Sequence, residues 1–388
     1  MKYRSFPRIP GVQISVLGFG CMRLPVIDGD MRRIDEAPAR DLLRKAVDSG
    51  VNYLDTAYPY HGGESEPFVG RALRDGYRER VHLATKLPVW LVEKEADWER
   101  LLDEQLRKLD TDRIDFYLLH ALNEARWETV RRFGGLRAME RALADGRIRH
   151  LGFSFHDSLR SFKTIVDAYD WEFCQIQYNF IDEGFQAGTE GLRYAARRDI
   201  GVIAMEPLRG GTLAQEQPAD IQRIWDRSPV RRPPAAWALG WVWDHPEVVT
   251  ALSGMNAGVQ LEENLAAADN AEAGGLSAQE LALVEEVRSL YAARIRVPCT
   301  TCGYCAPCPS SVSIPEAFTH YNTGAMFGNW GTARNLYRIF LTSQGHGADQ
   351  CQACGDCEPR CPQGIPIVAK LQEAHGALAG DPGRSILA

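Results

Sequence analysis

The chain has 388 residues, 45% of them apolar and 24% charged, with a formal net charge of -7. That length holds one large and one small domain of ordinary globular composition; the acidic balance and the lack of a dense Lys/Arg tract exclude a nucleic-acid surface. No run of eighteen apolar residues is present to span a membrane, and the opening MKYRSFPRIP is polar and proline-broken, so a cytoplasmic protein is expected.

Between Val16 and Asn270 short apolar runs alternate with amphipathic stretches. Predicted strands cover 16–20, 53–55, 81–85, 116–119, 150–154, 173–177, 202–205 and 249–252. Helices are predicted between them, among others at 39–48, 96–109, 135–144 and 258–268. Such alternation implies a parallel sheet covered by helices. Eight strand–helix units in roughly 250 residues fit a closed (β/α)8 TIM barrel. An open dinucleotide-binding sheet calls for G-x-G-x-x-G after its first strand. Here Gly18-Phe19-Gly20-Cys21-Met22-Arg23 puts arginine where the third glycine is needed.

A further helix is predicted at 278–293, and the domain boundary is expected near Arg296–Pro298. This gives a barrel domain over 1–295 and a small domain over 296–388. Eight of the ten cysteines fall in that small domain. Cys351, Cys354, Cys357 and Cys361, followed by Pro362, have the spacing C-x2-C-x2-C-x3-C-P of bacterial ferredoxins. Cys299, Cys302, Cys305 and Cys308, followed by Pro309, differ only in the last gap. Thiolates at every third residue converge on one iron–sulfur cube. Two runs accommodate two [4Fe–4S] clusters, with each fourth Cys ligating the other run's cluster. Zinc favours paired C-x2-C sites, and disulfides need an oxidising compartment. The other two cysteines are isolated, and Cys174, in an apolar run, reads as a packed residue. The 42 residues between the runs exceed what a compact ferredoxin uses, and stretches such as 314–320 and 333–341 read as helical. The tail thus resembles an α-helical ferredoxin domain.

Active sites of such barrels lie at the C-terminal strand ends. Those positions carry Asp55 and Tyr60 after the second strand, Lys86 after the third and His120 after the fourth. With these residues the chain resembles the aldo-keto reductase family, whose Asp, Tyr, Lys and His tetrad maps onto them. The resemblance implies NAD(P)H-dependent interconversion of a small-molecule carbonyl and an alcohol. Tyr60 would act as general acid in reduction and general base in oxidation. A free tyrosine holds its proton too tightly, with a pKa of about 10. The Lys86 ammonium is expected to lower that value, Asp55 to pair with Lys86, and His120 to orient the carbonyl.

The resemblance also implies a set of cofactor contacts. Ser154 and Gln175 match residues that grip the nicotinamide amide, although Phe155 stands where Asn is common. Met205 takes the place of the ring-stacking residue, and the loop continues through Pro207 and Leu208 to Gly210 near the pyrophosphate. Ser253, Gly254, Gln260, Glu263 and Asn264 lie on the adenosine side. Gly254 and Gln260 replace the Lys and Arg of NADPH-preferring members. This leans towards NADH, or use of both, with Arg209 the other source of positive charge. Cys21, Arg23, Tyr58, His61, Trp90 and Phe155 are expected on the rim as pocket walls.

Nicotinamide moves two electrons and a cluster one, and no flavin fingerprint bridges them. The clusters are therefore either structural or in service of a redox partner protein. As a whole the chain resembles the aldo-keto reductases fused to a C-terminal 4Fe-4S domain. Alternatives are an iron–sulfur electron-transfer protein on a barrel scaffold and a nicotinamide-sensing regulatory subunit. Homo-oligomerisation is left open.

Overall fold

The computed structural model describes residues 1–299, 305–361 and 363–380. The chain packs as two compact units. One comprises Met1–Gln215 and Arg232–Leu281; the other comprises Glu216–Arg231 and the chain from Ala282 onward. In this division residues 216–231 and 282–295 group with the cysteine-bearing part.

The first unit opens with a hairpin, β1 (Tyr3–Ser5) and β2 (Gln13–Ser15). Eight parallel strands follow: β3 (Leu17–Gly20), β4 (Tyr53–Asp55), β5 (His82–Leu87), β6 (Ile114–Leu122), β7 (Ile148–Phe155), β8 (Phe173–Gln177), β9 (Gly201–Met205) and β10 (Val248–Ser253). Each pairs with the next, and β10 pairs with both β9 and β3, closing the barrel. The expected (β/α)8 architecture is therefore present. Its strands read as continuous apolar runs because barrel strands are covered on both faces.

The hairpin was not expected from the sequence. It carries Phe6, Ile9 and Ile14 into the barrel's lower core beside Phe116 and Phe173. The Phe6 ring lies 5.3 Å from Phe116 and 5.8 Å from Phe173, centroid to centroid. Gly201 opens β9 beneath this ring, and a Cβ there would stand 2.1 Å from Phe6 Cδ1. One rim is thus plugged, and the C-terminal strand ends on the other carry the polar residues.

The second unit is helical. Helices span Ile314–Phe327, Trp330–Phe340 and Ile367–Ala379 around Phe318, Tyr337 and Leu371. The first two run longer than expected, and the third was not anticipated. Left-handed Gly328 ends the first, and Asn329 Oδ1 caps the second by accepting from Thr332 N at 3.1 Å. Gly324 lets the Trp330 ring close in, since a Cβ there would meet it at 2.6 Å. Buried Asn322 accepts from Arg296 N and Val297 N and donates to Val297 O, fixing the backbone just before the first cysteine run. Among the described residues no helix is long and apolar enough to cross a membrane.

Candidate functional site

Lys86 organises the open rim. Its Nζ donates to Asp55 Oδ2 at 2.6 Å, to Thr56 O at 2.8 Å and to Tyr60 OH at 3.3 Å. Lys86 and Asp55 are buried, and such a pair is tolerated only with its hydrogen bonds complete. Burial works against the ammonium, but Asp55 and Tyr60 hold it above the ordinary lysine range. Burial pushes the Asp55 carboxyl up, with Lys86 opposing. It also raises Tyr60, and Lys86 only partly offsets the rise. The expectation that Lys86 brings the phenol below its ordinary range is therefore not met: desolvation of the phenolate outweighs the ammonium 3.3 Å away.

Tyr60 starts a tight turn, Tyr60–Gly63, in which His61 has φ 54°. Buried His61 anchors that turn: its Nδ1 donates to Met31 O at 2.7 Å while Nε2 accepts from Leu24 N at 3.3 Å. Four expected pocket walls are placed elsewhere. His61 is this anchor, Cys21 is buried, and Phe155 packs on Phe162. Tyr58 donates to Glu104 Oε1 at 3.0 Å and lies under the Lys108 ammonium. Trp90 remains exposed at the rim, and half-buried Arg23 pairs with Glu206 at 3.7 Å.

His120 lies at an irregularity of β6, where Ala121 takes φ 51° and the register to β7 shifts. Two groups hold this bulge: Ser154 Oγ accepts from Ala121 N at 2.7 Å, and Arg126 donates to Ala121 O at 2.7 Å. The His120 ring meets Tyr60 edge-on, with centroids 6.3 Å apart, and Trp90 at 5.0 Å. Burial drives its pKa well below the ordinary histidine range, and Lys86, His156 and Arg126 add to that. His120 is thus a neutral imidazole able to donate one hydrogen bond. Sequence reasoning did not find the bulge or Arg126, because neither leaves a local signature.

Three side-chain atoms here are buried without a partner: Asp55 Oδ1, His120 Nδ1 and Gln175 Oε1. Orphaned polar atoms are costly unless a ligand completes them. Gln175 donates to Met205 Sδ at 3.4 Å, so its free carbonyl suits a primary amide such as a carboxamide. Beyond Met205 the chain turns sharply, with positive φ at Glu206, Arg209, Gly210 and Gly211. Glu206 Oε2 accepts from Gly210 N, and Asn179 Nδ2 donates to Glu206 O at 3.2 Å. Arg209 is tied to Asp182 at 3.1 Å. Past β10, Asn264 Nδ2 donates to Ser253 Oγ at 2.9 Å, and Gln260 Oε1 accepts from Asn256 N at 2.9 Å.

In the second unit Cys305, Cys308, Cys351, Cys354 and Cys357 line one cavity, with Ile314 among its apolar neighbours. All of them are free thiols. Cys299 and Cys361 pack, with Cys308, Cys351 and Cys357, against the helical core. Cys302 and Pro362 lie outside the described residues. Among the described residues no three His, Cys, Asp or Glu side chains converge as for a single metal ion. Five thiols around one cavity do fit the donor set of an iron–sulfur cluster. Cys305 and Cys308 of the first run both meet the second run at this cavity.

A parallel barrel with an Asp–Lys–Tyr–His cluster at its strand ends defines an oxidoreductase scaffold, and comparison with known proteins gives its family. Residues 16–289 match the aldo/keto reductase family and residues 297–365 a 4Fe-4S dicluster domain. The chain belongs to the aldo/keto reductase family and carries a 4Fe-4S dicluster domain at its C-terminal end. It is similar to the L-galactose dehydrogenase of Arabidopsis thaliana, 26% identical over 306 residues, spanning 71% of this chain and 91% of that protein. A solved aldo-keto reductase from Bacillus halodurans, in its holo form, superposes with a TM-score of 0.61 at 27% identity, covering 74% of this chain and 96% of that one. One from Klebsiella pneumoniae in complex with NADPH gives a TM-score of 0.61 at 26% identity, covering 74% of this chain and 96% of that chain.

Proposed function

We propose that this chain interconverts a small-molecule carbonyl and its alcohol with a nicotinamide cofactor, and that Tyr60 transfers the proton. The observation that carries this reading is the position of Lys86 Nζ, 2.6 Å from Asp55 Oδ2 and 3.3 Å from Tyr60 OH, at the C-terminal strand ends. The reduced nicotinamide, when bound, supplies the hydride to the carbonyl carbon. Neutral His120 donates a hydrogen bond to the carbonyl oxygen and aims it at Tyr60. The Tyr60 hydroxyl gives that oxygen its proton, and Lys86 stabilises the phenolate left behind. Asp55 keeps Lys86 charged and in place. In oxidation the same phenolate takes the proton from the alcohol.

Ser154, Gln175 and Met205 would hold the nicotinamide end, Pro207, Leu208 and Gly210 the pyrophosphate, and Ser253, Gly254, Gln260, Glu263 and Asn264 the adenosine. The orphaned Gln175 Oε1 supports this placement. NADPH is bound by the Klebsiella relative. Here Gly254 and Gln260 bring no cation to a 2′-phosphate and Arg209 is paired with Asp182, which favours NADH.

In the tail we assign one [4Fe–4S] cluster to Cys351, Cys354, Cys357 and Cys308, and a second to Cys299, Cys302, Cys305 and Cys361. Such clusters supply one-electron chemistry or structural ties. This organisation supports the subfamily of aldo-keto reductases with a C-terminal 4Fe-4S domain, and thiols kept reduced fit a cytoplasmic setting. The test is an aldehyde panel with NADH or NADPH deuterated at C4. Deuterium in the product alcohol is expected, and its absence from every product refutes the reading. Anaerobically prepared protein should hold about eight irons per chain.

A further inference from the structure

Arg126 stands out among the cations of the barrel. It follows β6, in the first turn of the helix Glu124–Arg132 and hence on the rim that carries His120. It is half-buried. Among the described residues its side chain makes one hydrogen bond, to Ala121 O at 2.7 Å, and no ion pair. Its neighbour Arg131 on the same helix is paired with Glu128 at 3.3 Å. The nearby Asp157 spends its oxygens on Glu124 N and Ser158 N. A guanidinium has five N–H donors in a fixed fork, so most of Arg126's remain for a ligand. A half-buried cation without a counter-charge costs stability unless a ligand supplies one.

Arg126 is also connected to the chemistry. Its guanidinium lies over the Trp90 ring, 5.0 Å from the centroid, and the same ring lies 5.0 Å from the His120 ring. Trp90 is 41% exposed, so it forms a platform between the cation and the His120 imidazole. Lys86 and Arg126 both act to keep His120 uncharged, and Lys86 is already neutralised by Asp55.

We infer that Arg126 and the Trp90 face form a subsite for a carboxylate, so that the substrates of this enzyme are aldehydes or ketones bearing an anionic group. The inference rests on the carbonyl-reductase reading above. With the carbonyl oxygen at Tyr60 and His120, the body of the substrate lies along Trp90 and its carboxylate meets the guanidinium fork. An apolar carbonyl would leave that donor set unused, and an uncharged carbohydrate would meet it only with neutral hydroxyls, which make weaker hydrogen bonds than a carboxylate.

The test compares 4-carboxybenzaldehyde with 4-methylbenzaldehyde, in the holoenzyme with nicotinamide in excess. The ratio of their kcat/KM values is expected to favour the acid at least about tenfold, as for a charge-assisted hydrogen bond. Arg126→Met should bring the ratio close to one, chiefly by raising KM for the acid. Arg126→Lys keeps the charge and should keep part of the preference. A wild-type ratio near one overturns the inference. So does an Arg126→Met protein that keeps the wild-type ratio while both substrates slow, because Arg126 then acts only through the Ala121 bulge that it holds. Turnover of 4-methylbenzaldehyde separates the two levels: if it proceeds without preference for the acid, the reductase reading stands and the subsite falls. Turnover of neither aldehyde overturns both.

Discussion

The barrel rim and the cysteine tail solve the same problem, holding chemistry-bearing groups in the protein interior, in opposite ways. At the rim the protein supplies both charges: Lys86 is buried against Asp55, and Thr56 O takes a further ammonium proton. The site is assembled by its own side chains before any ligand arrives. In the tail five free thiols face one cavity, and a small helical core packs behind them. The thiols are free, so a bound group is what would tie them together. The rim therefore contributes to folding by itself, whereas the tail is to be held by what it binds, as small metal-dependent domains generally are.

The largest effect that follows is on the tail. Removing iron with a chelator under reducing conditions should abolish the tail's protection in hydrogen exchange while the barrel strands keep theirs. Equal protection in both units with and without iron would remove the contrast. Next in size is Lys86→Met, which strands the Asp55 carboxylate in a buried site. A loss of about 3–5 kcal/mol in unfolding free energy is expected from denaturant titration. The double variant with Asp55→Asn should recover part of it. A loss below 1 kcal/mol would show that the pair does not organise the rim (about 1 kcal/mol being the scale of an exposed pair).

Gly201→Ala sharpens the comparison from the other end of the barrel. The added methyl would run into Phe6, and overpacking of this kind costs about 1–3 kcal/mol. Chemical denaturation should register that loss with the iron content unchanged. The smallest effect concerns pH. Tyr60 is held above its ordinary range by burial and His120 well below its own. The acid form needed for reduction thus persists through neutral pH, and His120 stays uncharged. The kcat/KM for reduction should be flat from about pH 6 to about pH 9, while alcohol oxidation rises with pH because it needs the phenolate. A bell centred near neutrality would contradict both assignments.

The barrel was legible in the sequence because its strands are short, mostly apolar runs separated by amphipathic helical stretches. The predicted 53–55 and 173–177 coincide with β4 and β8. The hairpin escaped because Tyr3–Ser5 and Gln13–Ser15 are three residues each and mostly polar; its value lies in Phe6, which no local pattern marks. Asp55, Tyr60, Lys86 and His120 could be read together because the fold fixes the three strand ends that carry them. The His120–Trp90–Arg126 chain was not legible, because it joins a strand end, a short helical turn and a helix start through side-chain contacts alone. The same holds for His61 and Phe155: sequence assigns them to the rim, but whether a rim residue faces the mouth or the core is decided by packing. Regular spacing made the cysteines the plainest signal, yet the meeting of Cys308 with the second run depends on how the intervening helices fold back.

The most direct test of the central claim is Tyr60→Phe, which removes one hydroxyl and leaves the ring beside His120. The account predicts a fall in kcat/KM for carbonyl reduction of about a hundred- to ten-thousandfold, with the dissociation constant for NADH or NADPH, read by fluorescence, unchanged. Turnover that survives in Tyr60→Phe would contradict it and move the chemistry away from the Lys86 cluster.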